Sequence, residues 1–129
     1  MEQGYIYLNN DIFPTLFASS QEEQERGLMY MEPPTPVMSF IYERPQINRF
    51  WMKATKAPLD IVFCCNGKVI EICYGEPHST KIIGTKISDL VIELPYGTTN
   101  SIGLKLGDNA GLVKSSSKEI YKNVTTKRG

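Results

Sequence analysis

Trp51, Lys53 and Asp60 are the residues of this sequence whose types and spacing best suit a binding site, with Arg26 and Arg49 as candidate neighbours. On a strand, positions two apart project to one face, so Trp51 and Lys53 would stand side by side. An ammonium over an indole makes a cation–π contact, and an aspartate facing the lysine would hold it charged. A small polar ligand could bind such a set. The competing reading is structural: Trp51 packs in the core while Lys53 and Asp60 close a barrel end as an ion pair. That reading carries the greater weight, because structural ion pairs outnumber sites.

Nucleophilic chemistry has less support. The cysteines are Cys64, Cys65 and Cys73, and His78 is the sole histidine. Cys64 and Cys65 end the apolar run from Ile61, where a thiol is inert, and His78 falls in a loop. Asn66-Gly67 is a two-residue hairpin turn, since both positions tolerate positive φ. It would pair Cys65 with Lys68, Cys64 with Val69, Phe63 with Ile70, Ile61 with Ile72 and Asp60 with Cys73. Cys64 and Cys73 would then share a face roughly 13 Å apart, far beyond the about 4.4–6.8 Å that a disulfide spans. All three read as small buried hydrophobes. Without a Cys-x-x-Cys pair, no structural zinc site is expected, and no cofactor is implied.

Other patterns are weaker. Gly97, Gly103 and Gly107 match no phosphate-binding motif, and Gly107-Asp108 reads as a turn. Tyr5, Tyr7, Tyr30 and Tyr42 could stack on sugars or bases, but on strands tyrosines more often pack. Glu22, Glu23 and Glu25 could be a carboxylate cluster or, more simply, a solvated helix face.

These residues must be positioned by a mainly β domain, barrel-like or a strongly curved antiparallel sheet, with one or two short helices. Tyr5 and Tyr7 alternate with Ile6 and Leu8, and Asn9 to Asp11 turns the chain into a return strand, Ile12 to Ala18, where Pro14 suggests an edge. Ser19 with Glu22 and Ser20 with Glu23 form overlapping capping boxes for a helix to about Arg26, ended by Gly27. Pro33, Pro34 and Pro36 make a rigid connector, or less simply a ligand for a proline-recognising partner. Val37 to Tyr42 and Phe50 to Met52 read as strands. Ile61 to Cys65 reads as a strand buried on both faces, and Lys68 to Tyr74 as its return. From Leu90 to Leu94, Val91 and Glu93 face one side and Leu90, Ile92 and Leu94 the other. Thr98 or Thr99 would cap a short helix to Leu104, and Ala110 to Lys114 would be a last strand.

The 129 residues suit one domain, 1–114, followed by a polar basic tail, 115–129. Hydrophobic residues make up 41% and charged residues 22%, a globular mixture, and fourteen basic residues balance fourteen acidic ones. No overall field therefore draws the chain to nucleic acid or an anionic membrane. No apolar run is long enough to span a bilayer, and the start has no signal-peptide pattern. The expected location is cytoplasmic or virion-associated.

Four segments occur in order: EEQERGLMY (Glu22 to Tyr30), FWMKATKAPLDIVF (Phe50 to Phe63), GKVIEI (Gly67 to Ile72) and VIELPYGTTNSIGLKLGD (Val91 to Asp108). Together they resemble the domain-of-unknown-function family 192 (DUF-192), small β-rich proteins, over about residues 12 to 114. The resemblance implies a barrel-like β fold and no established reaction, so no catalytic residue carries over. Ala54 stands where members usually have asparagine, and Met31 where many have arginine. Many relatives are exported.

Two functional readings follow. The first, motivated by the lack of a convincing catalytic set, is a non-catalytic interaction or structural module of a larger, even viral, assembly. Its candidate partner contacts are Lys118, Lys122, Lys127 and Arg128 on the tail. The second is a small-ligand-binding domain or enzyme using the Trp51, Lys53 and Asp60 end. A nucleic-acid role rests on the basic tail alone.

Overall fold

The computed structural model describes residues 1–113. The candidate contacts Lys118, Lys122, Lys127 and Arg128, with the rest of the tail, lie outside the described residues. Seven strands form one curled sheet: β1 (Glu2–Leu8), β2 (Asp11–Ala18), β3 (Met38–Ile47), β4 (Leu59–Cys65), β5 (Lys68–Gly75), β6 (Ile87–Pro95) and β7 (Ala110–Leu112). Two short helices interrupt them, α1 (Gln21–Arg26) and α2 (Thr98–Ser101). The spatial order is β5-β4-β6-β3-β2-β1-β7. Every pairing is antiparallel except β2 with β3, which run parallel because the chain crosses over through α1 and the proline connector. The two edges meet at one corner, where Val69 N–H donates to Asp108 O at 2.8 Å and Ala110 N–H to Gly67 O at 3.0 Å.

Alternation places two cores on opposite faces of the central strands. Ile6, Leu8, Val62, Cys64, Val69, Ile92 and Leu94 fill one cluster, to which both edges of the sheet contribute, so it lies inside the curl. Phe40, Leu59, Ile61, Phe63 and Val91 form the other, on the outer face. Leu28, Met52 and Ala57, from the connectors, cover that outer cluster. β4 is accordingly buried from Leu59 to Cys64 on both faces.

Several expected details change. β2 is an interior strand by order, but β3 pairs only with Leu16 to Ala18, so the flank of Pro14 away from β1 needs no donor. β3 runs on to Ile47 through Pro45, across a register shift between Ile41 and Gln46. Phe50 to Met52 is no strand: Phe50 bridges Ile83, and Met52 N–H donates to Ser79 O at 2.9 Å. In the β4–β5 hairpin the expected pairs hold only at Cys65–Lys68 and Cys64–Val69. A bulge then moves Phe63 opposite Glu71, Ile61 opposite Cys73 and Asp60 opposite Tyr74. The extra residue sends Cys73 to the outer cluster while Cys64 packs inside, so the two do not share a face. All three cysteines are free, and Cys65 and Cys73 are only half-buried.

Candidate functional site

Four elements line an open cavity of about 680 Å³ on the outer face of the sheet: α1 and its exit, β3, β6, and the connector from Arg49 to Thr55. Each is placed for a local reason. Of the two possible capping boxes the helix uses Ser20 with Glu23, and Glu23 also accepts from Ser19 N–H at 3.1 Å. Those backbone donors pull the Glu23 carboxyl down to about 2. Gly27 ends the helix at φ +53°. The connector is held by the reciprocal Phe50–Ile83 backbone bonds, both 2.8 Å, and by Tyr30 N–H donating to Ala54 O at 2.9 Å. Phe50 packs edge-on against Phe40 and Phe63, with ring centroids 4.9 and 5.8 Å away. Ala54 sits at φ +54°, a conformation asparagine adopts more readily than alanine.

Glu93 forms the floor. It lies in β6 between Ile61 of β4 and Met38 of β3, and only 4% of it is exposed. Its Oε1 is buried and has no hydrogen-bond partner. Burial pushes the carboxyl up to about 8. A Cβ on Gly27 would come 3.5 Å from that oxygen, so the glycine leaves space beside the acid as well as turning the chain. Tyr42, on β3, is pushed up to about 12 by burial and, secondly, by the charge of Glu93.

Four of the five expected site residues line this cavity: Arg26, Arg49, Trp51 and Lys53. Lys53 Nζ lies 5.2 Å from the Trp51 ring centroid. They stand side by side because Met52, between them, is buried in the outer core while both remain exposed. The ion pairs found among the described residues, Met1–Glu23 and Lys56–Glu32, leave Arg26, Arg49 and Lys53 out.

Asp60 is elsewhere. It is 5% exposed, and its Oδ2 accepts from Gly97 N–H at 3.1 Å, Thr99 N–H at 2.9 Å and the Thr99 hydroxyl at 2.9 Å. Gly97, not a threonine, is the α2 cap residue, and Asp60 supplies the acceptor that its own side chain lacks. The expected Lys53–Asp60 ion pair does not form. Burial pushes the thiol of Cys64 up to about 12 and that of Cys73 up to about 11. His78 is exposed at φ +64°. No group of three His, Cys, Asp or Glu among the described residues could hold a metal ion.

Glu93 and the role of Tyr42 beside it were missed by the sequence reasoning. The signal was a lone acid within the apolar run Leu90 to Leu94, on a strand buried on both faces.

Fold and pocket together define a small, curled, barrel-like β domain with a cavity on its outer face. The chain belongs to the DUF192 family, "Uncharacterized ACR", which it matches over residues 8–112. It is similar to a crystal structure described as a putative transcription regulator from Sinorhizobium meliloti 1021. That likeness has 27% identity and a TM-score of 0.81, and covers 86% of this chain and 94% of the other. A second, a protein of unknown function from Novosphingobium aromaticivorans DSM 12444, shares the fold at 24% identity and a TM-score of 0.79, covering 84% of each chain. No curated protein matches the chain. No helix among the described residues is long and apolar enough to cross a membrane.

Proposed function

We propose that this protein is a small-ligand-binding domain that holds a polar molecule in the cavity over Glu93. The observation that carries this reading is the Glu93 Oε1, buried and without a partner at the floor of an open cavity. A buried polar atom left unpaired costs about 1–3 kcal/mol. A ligand that hydrogen-bonds it recovers that cost, and cavities of roughly 300–1,000 Å³ are the usual size for such molecules. Trp51, Lys53, Arg26 and Arg49 supply an aromatic and cationic mouth.

Binding is favoured over catalysis because Tyr42, which lines the cavity with Glu93, is pushed up to about 12, away from the range where a phenol works as an acid or base at neutral pH. The name given to the Sinorhizobium relative suggests a DNA-linked role. The two helices among the described residues span only six and four residues, too short to lie along a major groove as recognition helices do. The formal net charge of zero gives no general attraction to phosphate.

A melting-temperature screen of amino acids, organic acids, sugars and nucleotides tests the reading. The expected result is a compound that raises the melting temperature of the wild type, with the rise lost in Glu93→Gln and reduced in Lys53→Ala. A screen without any stabilising compound, or stabilisation that survives both substitutions, contradicts it.

A further inference from the structure

The two ends of the cavity have opposite demands. At the floor, Glu93 is buried with one oxygen unpartnered, so its ionised form lacks both a hydrogen-bond donor and a counter-charge. At the mouth, Arg26, Arg49 and Lys53 are cations outside any ion pair among the described residues. The rings of Phe40, Tyr42 and Phe50 also line the cavity, with Trp51 beside the cations at its mouth. We infer, resting on the ligand-binding reading above, that the cavity takes a small organic zwitterion, with its ammonium on the Glu93 carboxylate and its carboxylate or phosphate among Arg26, Arg49 and Lys53.

Each simpler ligand leaves a demand unmet. A plain anion serves the mouth but offers Glu93 no counter-charge, leaving the acid buried and protonated. A plain cation serves Glu93 but brings no anion to Arg26, Arg49 and Lys53, which outnumber the two carboxylates lining the same cavity, Glu22 and Glu25. An inorganic ion is far too small for about 680 Å³. Aromatic faces also favour an ammonium.

The proton balance is fixed by the same residues. Glu93 is protonated below about pH 8, so binding an ammonium expels that proton to solvent and leaves an ammonium–carboxylate pair. The other titratable or charged groups lining the cavity are Tyr42 from β3, Glu22, Glu25 and Arg26 from α1, Tyr30 from the segment after it, and Arg49 and Lys53 from the connector. Tyr42 is held neutral at these pH values, since it is pushed up to about 12.

The test is isothermal titration of the full chain with 4-aminobutyrate and phosphoethanolamine, against butyrate, butylamine and inorganic phosphate, in buffers of different ionisation heat. At least one zwitterion should bind and release close to one proton at pH 7, with affinity rising roughly tenfold from pH 6 to pH 7. Which of the two binds separates a carboxylate from a phosphate ligand. Glu93→Gln, isosteric with the protonated acid, should weaken binding at least tenfold and abolish proton release. Arg49→Ala, at an exposed position, should weaken it while leaving proton release intact. Binding of butyrate or phosphate as tight as that of their amino counterparts, zwitterion binding without proton release, or no zwitterion binding would each overturn the inference. If zwitterions fail while other compounds still stabilise the protein through Glu93, the inference falls alone. If nothing stabilises it, the ligand-binding reading falls too.

Discussion

Glu93 sits in the middle strand of its neighbourhood with apolar Ile61 and Met38 on either side, and its buried position makes its protonation a property of the fold. Its folded value, about 8, stands above the ordinary 4.5, so the folded chain holds the proton more tightly than the unfolded one. The stability linked to this group is complete below about pH 4.5 and declines as pH rises through about 8. The decline amounts to at most roughly 5 kcal/mol, each unit of displacement being about 1.36 kcal/mol. Glu93→Gln should remove that slope, making the variant the more stable protein at pH 8.5 but not at pH 5.5. Urea unfolding at the two pH values measures this, and parallel wild-type and variant curves would contradict it. Glu23 does not interfere, because its depressed value of about 2 confines its contribution to a loss below about pH 4.5.

At the scale of elements, the connector that carries Trp51 and Lys53 shows why side-chain periodicity can be right while the element is wrong. Alternating exposure survives across Trp51, Met52 and Lys53, because a buried Met52 between exposed neighbours needs only one anchored side chain, not a ladder. Scattered bonds to Ser79 and Ile83 take the place of strand pairing. Asp60 shows the opposite error. Its neighbours in sequence suggested Lys53, but β4 points it into the turn before α2, where backbone donors compete for it. Asp60→Ala would leave two N–H groups and a hydroxyl without their acceptor, and should cost about 2–3 kcal/mol. The pocket should be untouched, so a stabilising ligand should raise the melting temperature of Asp60→Ala as much as that of the wild type. Loss of the ligand response in a folded Asp60→Ala protein would place Asp60 back in the site.

For the molecule as a whole, what was legible were the faces, and what was not were the neighbours. Alternation in β1 and β6 correctly separated Ile6 and Leu8 from the tyrosines, and Val91 and Glu93 from Leu90, Ile92 and Leu94. Nothing local could show that β3 returns beside β2 in parallel, or that β7 and the turn before it lace β1 to β5, because those pairings are set by the curl of the sheet. The single bulge near Ile70 was equally hidden, and it alone reversed the face of Cys73. The cavity shares this origin. Arg26, Arg49, Trp51 and Lys53 could be picked by type, but Glu93 gains its meaning only when α1 and the connector cover the outer face above it. The most direct measurement is therefore a carbon-detected NMR titration of the glutamate side-chain carboxyls from pH 5 to pH 9, with Glu93 assigned by its absence in Glu93→Gln. One carboxyl titrating near pH 8, displaced when a stabilising ligand is added, is the expected result. A Glu93 that titrates near the ordinary 4.5, indifferent to any ligand that stabilises the protein, would contradict a binding site built on it.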